Sequence, residues 1–333
     1  MAWKKIRAFV QIAEAHHKTS LVKRGERDLG ITLTFSGWLA LALYTVLFQN
    51  AAVRFHTSKS LFVNFCEFSI LHFSMTFFFF FLCLSRGRNN TKPDHSIFEN
   101  LKCKQPKWVF WRAFFAIISF WSYSLSRIWT DVGDSSSFYS LDTVWIMLFL
   151  AIAGIKFRFI AWIGVFLGGG AIILNYFLFF SNLDNFISAF FGIVSGITLA
   201  VITIQTSYMI QREHTSVIGF YHALLGCVGS AVIALICGFV EGFSSLNASQ
   251  IVLMLISGFV FGFVLYSLIK AFMFTESYVV GGISFLLPVF TDSFNFLIAQ
   301  QVPSVVEVFS SIFITIGAIL IIVSPRRHIK STP

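Results

Sequence analysis

Charge is what this sequence has least of. Of its 333 residues only 12% are Asp, Glu, Lys or Arg, half the roughly 25% typical of a domain that faces water on all sides, which excludes an ordinary soluble protein. Proline is scarce, at six residues. The five cysteines (Cys66, Cys83, Cys103, Cys227 and Cys237) contain no CxxC or paired spacing, so neither a disulfide framework nor a metal site is implied. P-loop, HExxH, GxSxG and paired-carboxylate motifs are missing as well, which disfavours ATP-driven transport and enzymatic chemistry by this chain and calls for no cofactor. The first 28 residues have no apolar core, so no cleavable signal peptide is expected.

What fills the sequence is hydrocarbon: 56% hydrophobic residues, 18% aromatic, 43 of them Phe, and a mean hydropathy of +0.79. The class this predicts is an all-α, polytopic membrane protein. Stretches of about 20 apolar residues, the length needed to cross a bilayer, occur ten times: 30 to 53, 61 to 84, 108 to 126, 137 to 154, 158 to 180, 186 to 210, 216 to 240, 250 to 270, 277 to 299 and 303 to 324. With the amino terminus inside, 20 of the 24 Lys and Arg fall on the cytoplasmic side, as the positive-inside rule requires for ten crossings with both termini cytoplasmic. The net charge of +9 is thus an orientation signal, and no nucleic-acid partner is expected. The basic leader, residues 1 to 29, places Trp3, Ile6, Val10 and Ala13 at helical spacing, which suits either a helix on the inner membrane surface or an unstructured tail; a second basic tail spans 325 to 333.

Short phrases recur in order along the chain. Tyr123 to Arg127 (YSLSR) is echoed by Tyr266 to Lys270 (YSLIK), Phe65 to His72 (FCEFSILH) by Phe220 to Cys227 (FYHALLGC), and Gly169 to Leu174 (GGAIIL) by Ile316 to Ile321 (IGAILI). Because five crossings separate the copies, the second must be inserted upside down relative to the first. The expected organisation is therefore two inverted five-helix repeats, residues 30 to 180 and 181 to 324. With these phrases and Gln301 to Ser304 (QVPS) ahead of Ile316 to Val323 (IGAILIIV), the chain resembles the drug/metabolite transporter superfamily, the EamA-like ten-helix transporters, over nearly its whole length from about residue 30 onward. It departs from that pattern at Gln301, where a glutamate is usual, at Lys156 near the matching point of the first half, and at Glu67 and His222, where relatives often carry Arg and Gln.

Ionised groups inside a bilayer are costly and mark function, so intramembrane polar residues lead the search for a site. Glu67 and His72 fall in span two, Asp142 with Trp145 in span four, Gln205 and Tyr208 in span six, and His222 in span seven. Asp292 and Asn295 in span nine follow Pro288, whose missing amide is expected to kink that helix. Lys270, Glu276 and Arg112 are read instead as pairing with one another or reaching headgroups. Of the aromatics, Trp38, Tyr44, Trp121, Tyr123, Trp145 and Tyr266 have polar edges that need partners, while the run Phe77 to Phe81 is expected to face lipid. The serine run Ser135 to Ser137 reads as a loop, and the glycine pairs Gly164/Gly168, Gly192/Gly196 and Gly258/Gly262 as helix packing.

These readings converge on a secondary transporter in a cell inner membrane, moving a small solute by alternating access, with the lipid bilayer as its surroundings and a homodimer left open. Similarity in size and layout to the S-adenosylmethionine transporters that obligate intracellular bacteria carry within this superfamily implies uptake of that metabolite in exchange for S-adenosylhomocysteine. In that case a carboxylate meets the sulfonium or ammonium, a ring stacks on adenine, and a basic group takes the carboxylate end. The competing expectations are an exporter of amino acids or cationic aromatic compounds, and a membrane enzyme or assembly factor without solute flux. A nucleotide-sugar antiporter, which needs clustered basic groups in its cavity, fits poorly.

Overall fold

The computed structural model describes residues 24–53, 61–86, 101–129, 132–179, 183–241 and 248–324, and among these every regular element is helical. The bulk of the basic leader and the basic tail lie outside the described residues. In an apolar solvent each backbone N–H must find its partner within the segment, and the long apolar runs do so as helices. They are α1 Arg24–Val53, α2 Leu61–Arg86, α3 Pro106–Trp129, α4 Val132–Ser140, α5 Asp142–Ile152, α6 Phe159–Phe179, α7 Leu183–Met209, α8 Thr215–Glu241, α9 Ala248–Ala271, α10 Ser277–Ser284, α11 Leu287–Phe294 and α12 Val305–Val323. A π turn, Asn295–Ala299, continues α11.

Six helical stretches among the described residues are long and apolar enough to cross a membrane, and three shorter apolar stretches accompany them. The outward face is hydrocarbon: Phe166 is 74% exposed and Val305 72%, values that suit lipid contact and not water. The phenylalanine run divides by helical phase. Phe78 and Phe81 face outward as expected, whereas Phe80 is wholly buried against Gly219, where a Cβ would collide with its ring.

Since lipid is as apolar as Leu, the helices are held by close approach and by hydroxyls. Helices α3 and α7 run antiparallel and are joined by two serine pairs one heptad apart. Ser119 donates to the Ser195 carbonyl (3.1 Å) and Ser195 to the Ser119 carbonyl (2.8 Å), and Ser188 donates to the Ser126 carbonyl (2.9 Å). Between α6 and α12 the contact is backbone on backbone: a Cβ on Gly164 would lie 2.6 Å from the Gly317 oxygen, and one on Gly317 2.6 Å from the Gly164 oxygen. Gly192 and Gly196 admit Phe138 of α4, and Gly258 and Gly262 admit α2, so the glycine pairs serve packing as their spacing suggested. Helix α1 packs on α9, and α2 on α8 and α9.

Two apolar runs are interrupted. The fourth breaks at Leu141 into α4 and α5, and the ninth at Phe285 and Leu286 into α10 and α11. Pro288 occupies the first turn of α11, where a missing N–H costs nothing, so the helix stops and restarts instead of kinking. The serine run belongs to α4, not to a loop, and Ser136 and Ser137 are buried in it.

Candidate functional site

Helices α1, α3, α7, α8 and α9 enclose a hollow of about 80 Å³, with the ends of α4 and α10 closing one wall. Its walls are mostly ring and aliphatic carbon, from Trp38, Tyr44, Phe120, Tyr139 and Phe261 among others. The rings contact one another: Tyr123 and Tyr139 centroids lie 4.5 Å apart, Trp38 meets Tyr139 edge-on at 6.2 Å, and Tyr44 lies 5.5 Å from Phe261. Trp38 is fixed by its indole N–H, which donates to the Val280 carbonyl (3.3 Å), and the Tyr123 hydroxyl lies 3.3 Å from that of Thr45.

One full charge enters this lining. Arg112, on the second turn of α3, is only 3% exposed and borders the hollow. Its Nε donates to the Thr206 hydroxyl (2.7 Å), Thr206 in turn donates to the Ile202 carbonyl (2.7 Å), and Nη1 has no hydrogen-bond partner. A long basic side chain near the end of an apolar helix ordinarily extends to the headgroups. Here the serine pairs clamp α3 against α7 and turn that face of α3 inward, so the expectation of a headgroup contact for Arg112 is corrected. A buried cation without a counter-charge is costly in an apolar surrounding. His222 of α8 lines the same hollow, 3% exposed, with neither ring nitrogen hydrogen-bonded and its ring 6.2 Å from Phe261 and 6.0 Å from Phe73.

A second polar locus lies where the two broken helices meet. Asp142, the first residue of α5, is wholly buried, and its Oδ1 accepts from the Ser284 hydroxyl at 2.5 Å while Oδ2 has no hydrogen-bond partner. Thr143 donates to the Gly281 carbonyl and lies 2.9 Å from the Ser284 hydroxyl. The last residue of α10 thus bonds the first residue of α5.

Of the residues singled out from sequence, Trp38, Tyr44, Tyr123 and His222 line the hollow and Asp142 forms the second locus. Trp121 is buried on α3, and Gln205 is buried on α7 with its Oε1 lacking a hydrogen-bond partner, but neither reaches the hollow. Trp145 packs near Phe149 with a 6.3 Å ring separation. Tyr208 lies between Trp108 and the Arg212 guanidinium at the end of α7, and Tyr266 lies 3.5 Å from the Lys270 ammonium, both outside the hollow. Asp292 and Asn295 are half-buried on α11 and its π turn, likewise outside the hollow. The Glu67 side chain lies outside the described residues. Among the described residues no carboxylate lines the hollow, so the acid expected to face a sulfonium is not supplied by Asp142 or Asp292 in this conformation. Arg112 and Thr206 are the members that sequence reading missed. The signal available was the serine spacing Ser119/Ser126 against Ser188/Ser195, which fixes the inward face of α3.

Comparison with known proteins informs the fold alone. No family model and no curated protein matches the chain. Among solved structures, one described only as "Crystal structure of protein" is similar over 90% of this chain and 96% of its own, with a TM-score of 0.65 at 15% identity. The helical arrangement is therefore shared with a molecule of nearly the same extent, and that likeness speaks to architecture.

Proposed function

We propose that the chain is a secondary transporter of a small metabolite, built as two inverted five-helix repeats with ten crossings and working by alternating access. The observation that carries this reading is the hollow itself: a buried, partly polar chamber walled by helices of both halves and bordered by two interrupted helices. Irregular backbone at membrane depth is tolerated where it lines a cavity, and broken helices are the usual frame of a transporter's binding site. The packing supports the repeat. Exchanging each helix for its counterpart five crossings on turns the α1/α9 contact into α7/α3, turns the α9/α2 contact into α3/α8, and returns α2/α8 and α6/α12 to themselves, and each of these pairs is in contact. The Arg27 guanidinium reaches the Ile322 carbonyl (3.4 Å), so the start of the first helix adjoins the end of the last, as an even number of crossings requires.

For the substrate, the reading from resemblance is S-adenosylmethionine taken up in exchange for S-adenosylhomocysteine. Aromatic walls suit adenine by stacking, and suit a sulfonium through cation-π attraction in place of a carboxylate. At about 80 Å³ the hollow is smaller than the roughly 300–1,000 Å³ of a ligand pocket, so a nucleoside-sized solute needs a wider state of the same chamber. An exporter of aromatic amino acids is the second reading, favoured by a single arginine among rings. Proteoliposomes loaded with S-adenosylhomocysteine are expected to accumulate radiolabelled S-adenosylmethionine faster than empty ones. Flux of amino acids but not of the adenosyl compounds would select the exporter, and no flux of either from a correctly inserted chain would refute transport.

A further inference from the structure

We propose that Arg112 is the anion anchor of the hollow, receiving the carboxylate of a solute whose apolar or aromatic body lies against Trp38, Tyr44 and Phe261. This rests on the transporter reading and adds to it the chemical class of the solute's polar end. Three observations converge. Arg112 is buried, its Nη1 is unpartnered, and it borders the hollow. Thr206 takes Nε, which fixes the plane of the guanidinium and leaves the remaining donors for a ligand. No described carboxylate lines the hollow, so a solute carboxylate supplies a counter-ion that the described lining lacks.

One arginine also limits the anion. A phosphate ester or diphosphate carries more charge than a single guanidinium balances, and among the described residues the other basic side chain of the lining is His222. A monoanionic carboxylate matches the donor set, and the rings around it match an apolar or aromatic body, with or without an amine. Lys270, in the last turn of α9, faces Tyr266 and does not line the hollow.

The test uses benzoate, a small aromatic carboxylate, and benzamide, its uncharged twin of nearly the same size. The full chain, purified in detergent micelles, is titrated with each while its thermal unfolding is followed. Benzoate is expected to raise the unfolding midpoint with half-saturation at least about ten-fold below that of benzamide, a difference of about 1.4 kcal/mol. Arg112→Gln is expected to abolish the benzoate response and Arg112→Lys to keep part of it, because a point charge remains without the planar fork. Unliganded Arg112→Gln is expected to unfold at or above the native midpoint, since an unpaired buried charge has been removed. A merely structural arginine would give a lower midpoint with the benzoate response intact. Equal responses of the native chain to benzoate and benzamide, or none to either at tens of millimolar, overturn the proposal however the variants fold. Solute counterflow in proteoliposomes separates the two levels: flux without carboxylate preference removes the anchor and keeps the transporter, and carboxylate preference without flux does the reverse.

Discussion

Cys103 stands just ahead of α3, outside the membrane-spanning helices, with its thiol 3.5 Å from the Glu213 carboxylate that follows α7. The same carboxylate oxygen accepts the Gln105 amide, and the Tyr221 hydroxyl donates to the Leu101 carbonyl (3.2 Å), so this short segment is stitched onto the α7–α8 turn. Burial is the main cause that pushes the Cys103 thiol above its ordinary range; the Gln105 backbone N–H pulls it back down, and the Glu213 charge and hydrogen bond each add a smaller upward push. Only the thiolate reacts with a maleimide, so a raised value means slow alkylation near neutrality and a rate that climbs at alkaline pH. Glu213→Gln removes the negative charge and lets the thiolate form at lower pH. In a chain whose other four cysteines are serine, the rate-against-pH curve for Cys103 is expected to move to lower pH in Glu213→Gln, with the rate at pH 8 rising. An unmoved curve would assign the shift to burial alone.

Helix interruptions carry the architecture at the next scale, because α5 and α10 are bonded end to end through Asp142, Thr143, Gly281 and Ser284. Ser284 is held on two sides, its hydroxyl donating to Asp142 Oδ1 at 2.5 Å while its oxygen lies 2.6 Å from the Gly281 carbonyl, so that hydroxyl is the shared element of the junction. Ser284→Ala strips a buried carboxyl oxygen of its donor, an effect of about 1–3 kcal/mol. Paired with Asp142→Asn in a double-mutant cycle, it is expected to show a coupling of about 0.5–3 kcal/mol in unfolding free energy, and strict additivity would mean the two breaks are not held together through this bond. How far such features can be read from sequence differs by kind. The apolar runs announce helices because oil leaves the backbone no other partner, and the glycine pairs announce packing because a missing side chain is visible at once. Pro288 signals a discontinuity, although whether it kinks or restarts the helix depends on the turn before it. The break at Leu141 has no proline or glycine beside it and is set by contact with α7 and α10, so it cannot be seen locally. Arg112 was misread for the same reason: its direction is decided by the serine pairs of α3 and α7, two helices far apart in the chain. Ser304 shows the opposite case. It caps α12 by accepting the Glu307 amide (3.2 Å) while Glu307 accepts the Ser304 amide, which gives the QVPS stretch a local helix-start role legible in the Ser-x-x-Glu spacing.

Across the whole molecule, the alternating access proposed above requires that some contact between the two halves be made in one state and broken in the other, and the walls of the hollow point to one. Its walls meet where α1, of the first half, lies against α9, of the second: Trp38, Leu41 and Tyr44 face Phe261, Val264 and Leu268 across the chamber. Gly37 is a point of close approach on that seam. A Cβ placed there would lie 3.5 Å from the Cβ of Ser267, within the range of about 3.5–4.5 Å that a disulfide spans, with only the flexible end of Leu268 to turn aside. In a chain whose five native cysteines are serine, Gly37→Cys with Ser267→Cys is therefore expected to oxidise readily and to hold α1 and α9 in the arrangement seen here. If the chamber widens by parting this seam, solute exchange in proteoliposomes should fall to the protein-free background on oxidation and return with a reductant, while either single variant exchanges in both conditions. The α6/α12 contact offers no such hinge, because Gly164 and Gly317 bring two backbones together at the axis that would relate the repeats, a place suited to a fixed pivot. Exchange that continues at full rate with the Gly37–Ser267 crosslink complete would mean the halves move about a different seam, and the equivalent α3/α7 contact, held by the serine pairs, would be the one to open.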